Sequence, residues 1–149
     1  MLQVAHNPLF YRSLLGDSRL LAPIIVEESL RLAAPMRRFI RVAKSDRFMG
    51  RVKIEPGQSV ILWYPSACRD EAVSPGSDLF DLERSSRMSA PVFGYGPHQC
   101  WGQYLARTEL VIVLRMLARS VRWFVLASKP RYEGSNCVGG IENLWISFA

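Results

Sequence analysis

The stretch Phe93-Gly94-Tyr95-Gly96-Pro97-His98-Gln99-Cys100-Trp101-Gly102 holds the residues best suited to chemistry in this chain. A single cysteine stands where a glycine-rich turn runs into the start of an amphipathic helix. Gly94 and Gly96 permit positive φ and let the backbone lie close against a flat ligand. Free N–H groups at a helix start favour the thiolate form of a nearby cysteine. Gly102 carries no side chain to hold the first helical turn away from a ligand plane. A thiolate held in this way is a soft-metal ligand or a nucleophile. The bland alternative for any lone cysteine is a buried structural thiol beside a tight turn.

The elements that position this loop are legible in outline. Apolar spacing from Leu20 to Leu32 predicts a helix, capped by Asp17 or Ser18, with Pro23 in its first turn and Pro35 as its stop. A β region follows: Phe39–Ala43 reads as a strand, and Arg51–Glu55 and Ser59–Trp63 as a hairpin around Glu55-Pro56-Gly57-Gln58. Residues 64–92 read as a long irregular connection, and loops of that length are usually functional. A second helix is expected from Cys100 to about Arg119, with Leu105, Leu110, Val113, Leu114 and Leu117 as its apolar stripe and Arg107, Arg115 and Arg119 facing out. Val121–Ala127 and Leu144–Phe148 read as strands, while residues 1–16 read as loop or a short piece of helix. The expected class is α+β, mainly helical with small sheets, in one unit spanning 1–149.

Composition narrows the function classes. A chain of 149 residues with 49% hydrophobic and 21% charged residues is an ordinary globular domain. The net charge of +6 concentrates in Arg37, Arg38, Arg41, Lys44, Arg47, Arg51 and Lys53, a run that reads first as solvated faces. No zinc-finger spacing and no aromatic-interleaved RNA motif accompanies it, so nucleic-acid binding is not expected. Cys68, Cys100 and Cys137 are odd in number and over thirty residues apart, which is no disulfide framework and points to a reducing, cytoplasmic setting. The segment from Met1 to Pro8 lacks a leader pattern, and no apolar run is long enough for a membrane span.

The ten-residue loop fits F-G-x-G-x-x-x-C-x-G at every fixed position, a chance event of about one in ten thousand in this length. That is the haem-ligand signature of the cytochrome P-450 family, and the chain resembles its C-terminal portion from about residue 20 onward. Glu28-Ser29-Leu30-Arg31 matches the family's E-x-x-R, which sets an acid and a base on one helix face. Phe80-Asp81-Leu82-Glu83-Arg84 is similar to F-D-x-x-R, whose arginine joins the E-x-x-R pair in a buried structural cluster. Arg41-Val42-Ala43-Lys44-Ser45-Asp46 resembles R-x-A-x-x-D, and Cys68-Arg69-Asp70 resembles N-R-D with Cys for Asn. Trp101 departs from the small or leucine-like residue usual after the ligand.

The resemblance implies a haem-thiolate monooxygenase, an oxidoreductase that inserts one oxygen atom of O2 into an organic substrate. Cys100 would ligate the iron of haem b, with Phe93 shielding the sulfur and Gly94 and Gly102 against the ring. Arg41 and His98 would contact the haem propionates. The implied partners are an electron-transfer protein, ferredoxin or reductase, and a small apolar substrate. A family member is more than twice this length, so the long distal helix and the N-terminal half are expected to be missing here. Only residues near Met36–Ile40 and Ser135–Cys137 would reach a substrate. Turnover by this chain alone is therefore not expected, and a non-catalytic haem-binding remnant or partner-binding module stands as the alternative.

Overall fold

The computed structural model describes residues 4–5, 7–84 and 90–148. Part of the segment from Met1 to Pro8 that was read for a leader lies outside them. Two helices open the described chain: α1 (Pro8–Gly16) and α2 (Ser18–Ala33). Asn7 caps the first, so the region read as loop or partial helix is a helix of nine residues. Asp17 caps α2 as expected, its carboxylate accepting from the N–H groups of Arg19 and Leu20 at 3.1 and 3.0 Å.

Because α2 begins at Ser18, Pro23 stands inside the helix and not in its first turn. A proline there has no N–H for the carbonyl four residues earlier, that of Arg19. Arg115 supplies the missing donor, its Nη2 lying 2.8 Å from the Arg19 carbonyl oxygen, with Nε at 3.3 Å from that of Ser18. Arg115 therefore does not face out.

Strands β1 (Arg38–Val42), β2 (Arg47–Met49), β3 (Val52–Ile54) and β4 (Ser59–Trp63) follow. The expected pairing of 51–55 with 59–63 does not occur. β2 pairs with β3 across Gly50-Arg51, and β1 pairs along its whole length with β4, from Arg38 opposite Trp63 to Val42 opposite Ser59. The Pro-Gly turn does form, with Gly57 at φ +85° and the Gln58 N–H donating to the Glu55 carbonyl at 3.1 Å. It joins two ribbons rather than closing one. Alternation over three residues in β2 is too short to read from sequence, whereas the segments flanking the Pro-Gly turn are long enough to suggest a hairpin.

Helix α3 (Tyr64–Ala67) interrupts the stretch read as irregular, and 3₁₀ turns at Pro91–Phe93 and Gly96–His98 frame the cysteine loop. Helix α4 (Gln103–Ser120) starts three residues after Cys100, not at it. Its buried face also differs from the expected stripe. Leu114 is buried and Val111, Leu117 and Ala118 are half-buried, whereas Leu105, Leu110 and Val113 are exposed. Strands β5 (Phe124–Leu126) and β8 (Ile146–Phe148) pair antiparallel, as do β6 (Arg131–Tyr132) and β7 (Ile141–Asn143).

The main core gathers Tyr11 and Leu14 of α1, Ala22, Ile25 and Val26 of α2, Leu114 of α4 and Phe124 of β5. Tyr11 packs edge-on to Phe124, and its hydroxyl lies 3.0 and 2.7 Å from the Leu117 and Val121 carbonyls at the C-terminal end of α4. A smaller cluster of Ala34, Cys68 and Val92, with Leu30 and Phe93 against it, lies beside the cysteine loop. The architecture is mainly helical with four two-stranded sheets among the described residues. None of the described helices is long and apolar enough to cross a membrane.

Candidate functional site

The cysteine loop is shaped by its backbone. Gly94 and Gly96 stand at φ +73° and +75°, where a side chain is strained. A Cβ on Gly94 would also come within 3.2 Å of the Tyr64 hydroxyl, which presses on the loop from α3. The Cys100 N–H donates to the Phe93 carbonyl at 2.8 Å, closing the segment into a ring of eight residues. A Cβ on Gly102 would lie 3.9 Å from the Cys100 sulfur. Cys100 is a free, exposed cysteine, and Trp101 beside it is 95% exposed.

Phe93, Gly94, Cys100 and Gly102 thus share one loop. His98, at the end of its second 3₁₀ turn, is exposed. Arg41 lies on β1, also exposed, with its guanidinium 5.9 Å from the Phe39 ring centroid. No hydrogen bond among the described residues joins Arg41 or the His98 imidazole to Cys100.

A second constellation lies under the loop. Arg31 binds Glu28 through both carboxylate oxygens, at 2.8 and 2.7 Å, and the Arg84 Nε is 3.3 Å from the same carboxylate. The side chains of all three are less than a tenth exposed. Burial works against charge on Glu28, but hydrogen bonds from Arg31 and the Asp81 N–H, with the two guanidinium charges, outweigh it and hold the carboxyl below its ordinary range. Glu28 in turn raises the Arg31 pKa, mainly by hydrogen bonding.

The remaining donors of the two arginines go to the backbone. Arg31 donates to the carbonyls of Cys68, Ser77 and Leu79, and Arg84 to those of Pro75, Gly76 and Leu79 and to the Ser74 hydroxyl. Residues 68–79 form an irregular loop, and these two guanidinium forks fold it down by donating to five of its carbonyls.

Glu71 completes the loop from within, and sequence inspection missed it. Its carboxylate accepts from the Ser77 hydroxyl and the N–H groups of Ser77 and Gly76, in that order of effect, which lowers its pKa. Cys68 is buried, and burial pushes its thiol up against the opposing charges of Arg31 and Arg69. Arg107, expected to face out, instead turns to Glu27, Gln103 and Phe93. The adjacent acids Glu27 and Glu28, with Gln99 and Gln103 spaced by one helical turn, were the available signal.

At the far end of α2, Pro35–Arg37 lie against Cys137–Gly139. The Arg37 N–H donates to the Cys137 carbonyl at 2.8 Å, and Met36 bridges to Val138.

The described chain is thus mainly helical with small two-stranded sheets, a cysteine loop that leads into a helix and a buried Glu–Arg–Arg cluster. The family model for Cytochrome P450 matches residues 19–136. Cytochrome P450-terp of a Pseudomonas species is 38% identical over 128 residues, which cover 86% of this chain and 30% of that protein. Linalool 8-monooxygenase of Pseudomonas putida is 38% identical over 117 residues, 78% of this chain and 29% of the other. The crystal structure of CYP108D1 from Novosphingobium aromaticivorans superposes with a TM-score of 0.92 at 34% identity, covering 99% of this chain and 35% of that one. The chain belongs to the cytochrome P450 family and spans about a third of the length of the curated relatives it matches.

Proposed function

We propose that this chain is the haem-holding, thiolate-donating part of a P450 monooxygenase, with Cys100 as the iron ligand. The observation that carries the reading is the free, exposed Cys100 on a loop bent by Gly94 and Gly96, followed by Gly102, where an added Cβ would lie 3.9 Å from the sulfur. Such a donor set fits haem b: one soft thiolate for the iron and a bare backbone against the ring. When bound, the haem supplies activation of dioxygen and transfer of one oxygen atom to an organic substrate.

The chain's own residues bind and orient. Cys100 would donate its sulfur, and Phe93, whose carbonyl accepts the Cys100 N–H, would limit access of water to it once the haem is bound. Arg41 and His98, both exposed, supply positive charge or hydrogen bonds for the propionates. Glu28, Arg31 and Arg84 hold the 68–79 loop and take no part in the chemistry. The strip of Pro35–Arg37 against Cys137–Gly139 supports a wall for a small apolar substrate. An acidic electron-transfer protein, ferredoxin or reductase, suits the basic surface.

The deciding experiment is an absorbance spectrum of the chain with haem, reduced and exposed to carbon monoxide, beside Cys100→Ser. A strongly red-shifted Soret band present in the parent chain and absent in the variant is the expected result. An identical spectrum in both would remove Cys100 as the ligand.

A further inference from the structure

We infer that Arg107, with Glu27 as its counter-charge, is a positioning residue that holds the cysteine loop in its ligand-ready shape; this rests on the reading of Cys100 as the haem ligand. The Arg107 guanidinium lies over the Phe93 ring, 4.5 Å from its centroid. Its Nε and Nη2 donate to the two carboxylate oxygens of Glu27 at 2.6 and 3.3 Å, and its Nη1 donates to the Gln103 side-chain oxygen at 2.9 Å. That same oxygen of buried Gln103 also accepts from the Gln99 side chain at 3.3 Å, and Gln99 is the neighbour of Cys100.

One guanidinium therefore grips both ends of the loop. It stacks on the ring of Phe93, whose carbonyl accepts the Cys100 N–H, and reaches the cysteine side through Gln103 and Gln99. A planar, permanently charged fork can do this because its face and its edge are used at once, the face by the ring and the edge by carboxylate and amide. The anchor is α2, where Glu27 serves this network and the next residue, Glu28, serves the Arg31–Arg84 cluster. Two consecutive carboxylates thus tie both irregular segments, 68–79 and 93–100, to one helix.

The test is residue-level amide exchange on the haem-free chain, comparing the parent with Arg107→Leu, Arg107→Lys and Glu27→Gln. Protection of the Cys100 amide should fall about tenfold in Arg107→Leu and several-fold in Glu27→Gln, with Arg107→Lys in between because it keeps the charge but loses the fork. Amides of the α4 centre and of β1 and β4 should keep their protection, which a general loss of stability would not allow. Should Arg107→Leu lose protection throughout, Glu27→Gln decides. Unchanged exchange at Cys100 in both Arg107→Leu and Glu27→Gln overturns the inference. With haem and carbon monoxide added, the share of the red-shifted Soret band should fall in the same order. If the parent chain shows no such band, the Cys100 reading fails while the exchange result still judges Arg107.

Discussion

Glu28 accepts hydrogen bonds from Arg31, Arg84 and the Asp81 N–H, and its side chain is buried. Glu28→Gln leaves two guanidinium groups without their counter-charge, and breaking a buried pair in this way costs about 3 kcal/mol. Chemical denaturation at neutral pH should register that loss. The pH dependence has a definite sign. The folded-state pKa of Glu28 is lowered, so its contribution is complete above the unfolded-state value of roughly 4.3 and is lost as pH falls through the folded value. Acid titration of stability should accordingly be shallower in Glu28→Gln than in the parent chain. Gly94 sets a second constraint at this scale. Gly94→Ala combines a positive φ with a Cβ 3.2 Å from the Tyr64 hydroxyl, and should cost about 1–3 kcal/mol. Adding Tyr64→Phe should recover only the steric part, which a double-mutant cycle measures.

At the scale of elements, α2 is the post on which the rest is mounted. Its inner face enters the core through Ala22, Ile25 and Val26, and its C-terminal half presents Glu28 and Arg31 to the 68–79 loop and Glu27 to Arg107 of α4. Pro23 weakens this helix at its second turn, and α4 repairs it by lending Arg115 to the orphaned Arg19 carbonyl. Arg115→Leu should destabilise the chain by about 1–2 kcal/mol, because the carbonyl loses a charged donor. In the Pro23→Ala background the same substitution should cost less, since the helix then supplies its own N–H. Equal costs in the two backgrounds would show that Arg115 acts elsewhere.

For the whole molecule, the surface is the informative feature. Ile112, Val113 and Met116 of α4 are exposed, as are Phe48, Met49 and Val52 of the β2–β3 hairpin. Neighbouring apolar side chains on one helix face call for a cover. The relatives this chain matches are about three times as long, and the superposition on CYP108D1 uses 35% of that chain. The 149-residue chain by itself, supplied with haem and a reductase, should consume no oxygen in step with substrate oxidation. Coupled product formation would contradict this and make the remaining two-thirds of the relatives dispensable for the reaction.

Local patterns in the sequence determined a good part of this molecule. The F-G-x-G-x-x-x-C-x-G run, the E-x-x-R helix with its Asp17 cap and the Pro-Gly turn are short-range features, each written in residues that touch or nearly touch along the chain. Strand partners are not legible, because β1 meets β4 across sixteen intervening residues and nothing local in Arg47–Met49 announces a strand. The buried side of α4 is illegible for a related reason. Apolar spacing finds a stripe, but which stripe is covered depends on where α2 lies, and that brings Arg107 and Arg115 inward while leaving Leu105 and Val113 out. Only the tertiary structure could join Glu27 to Arg107 across eighty positions, since a carboxylate chooses its partner by proximity in space and not by order along the chain.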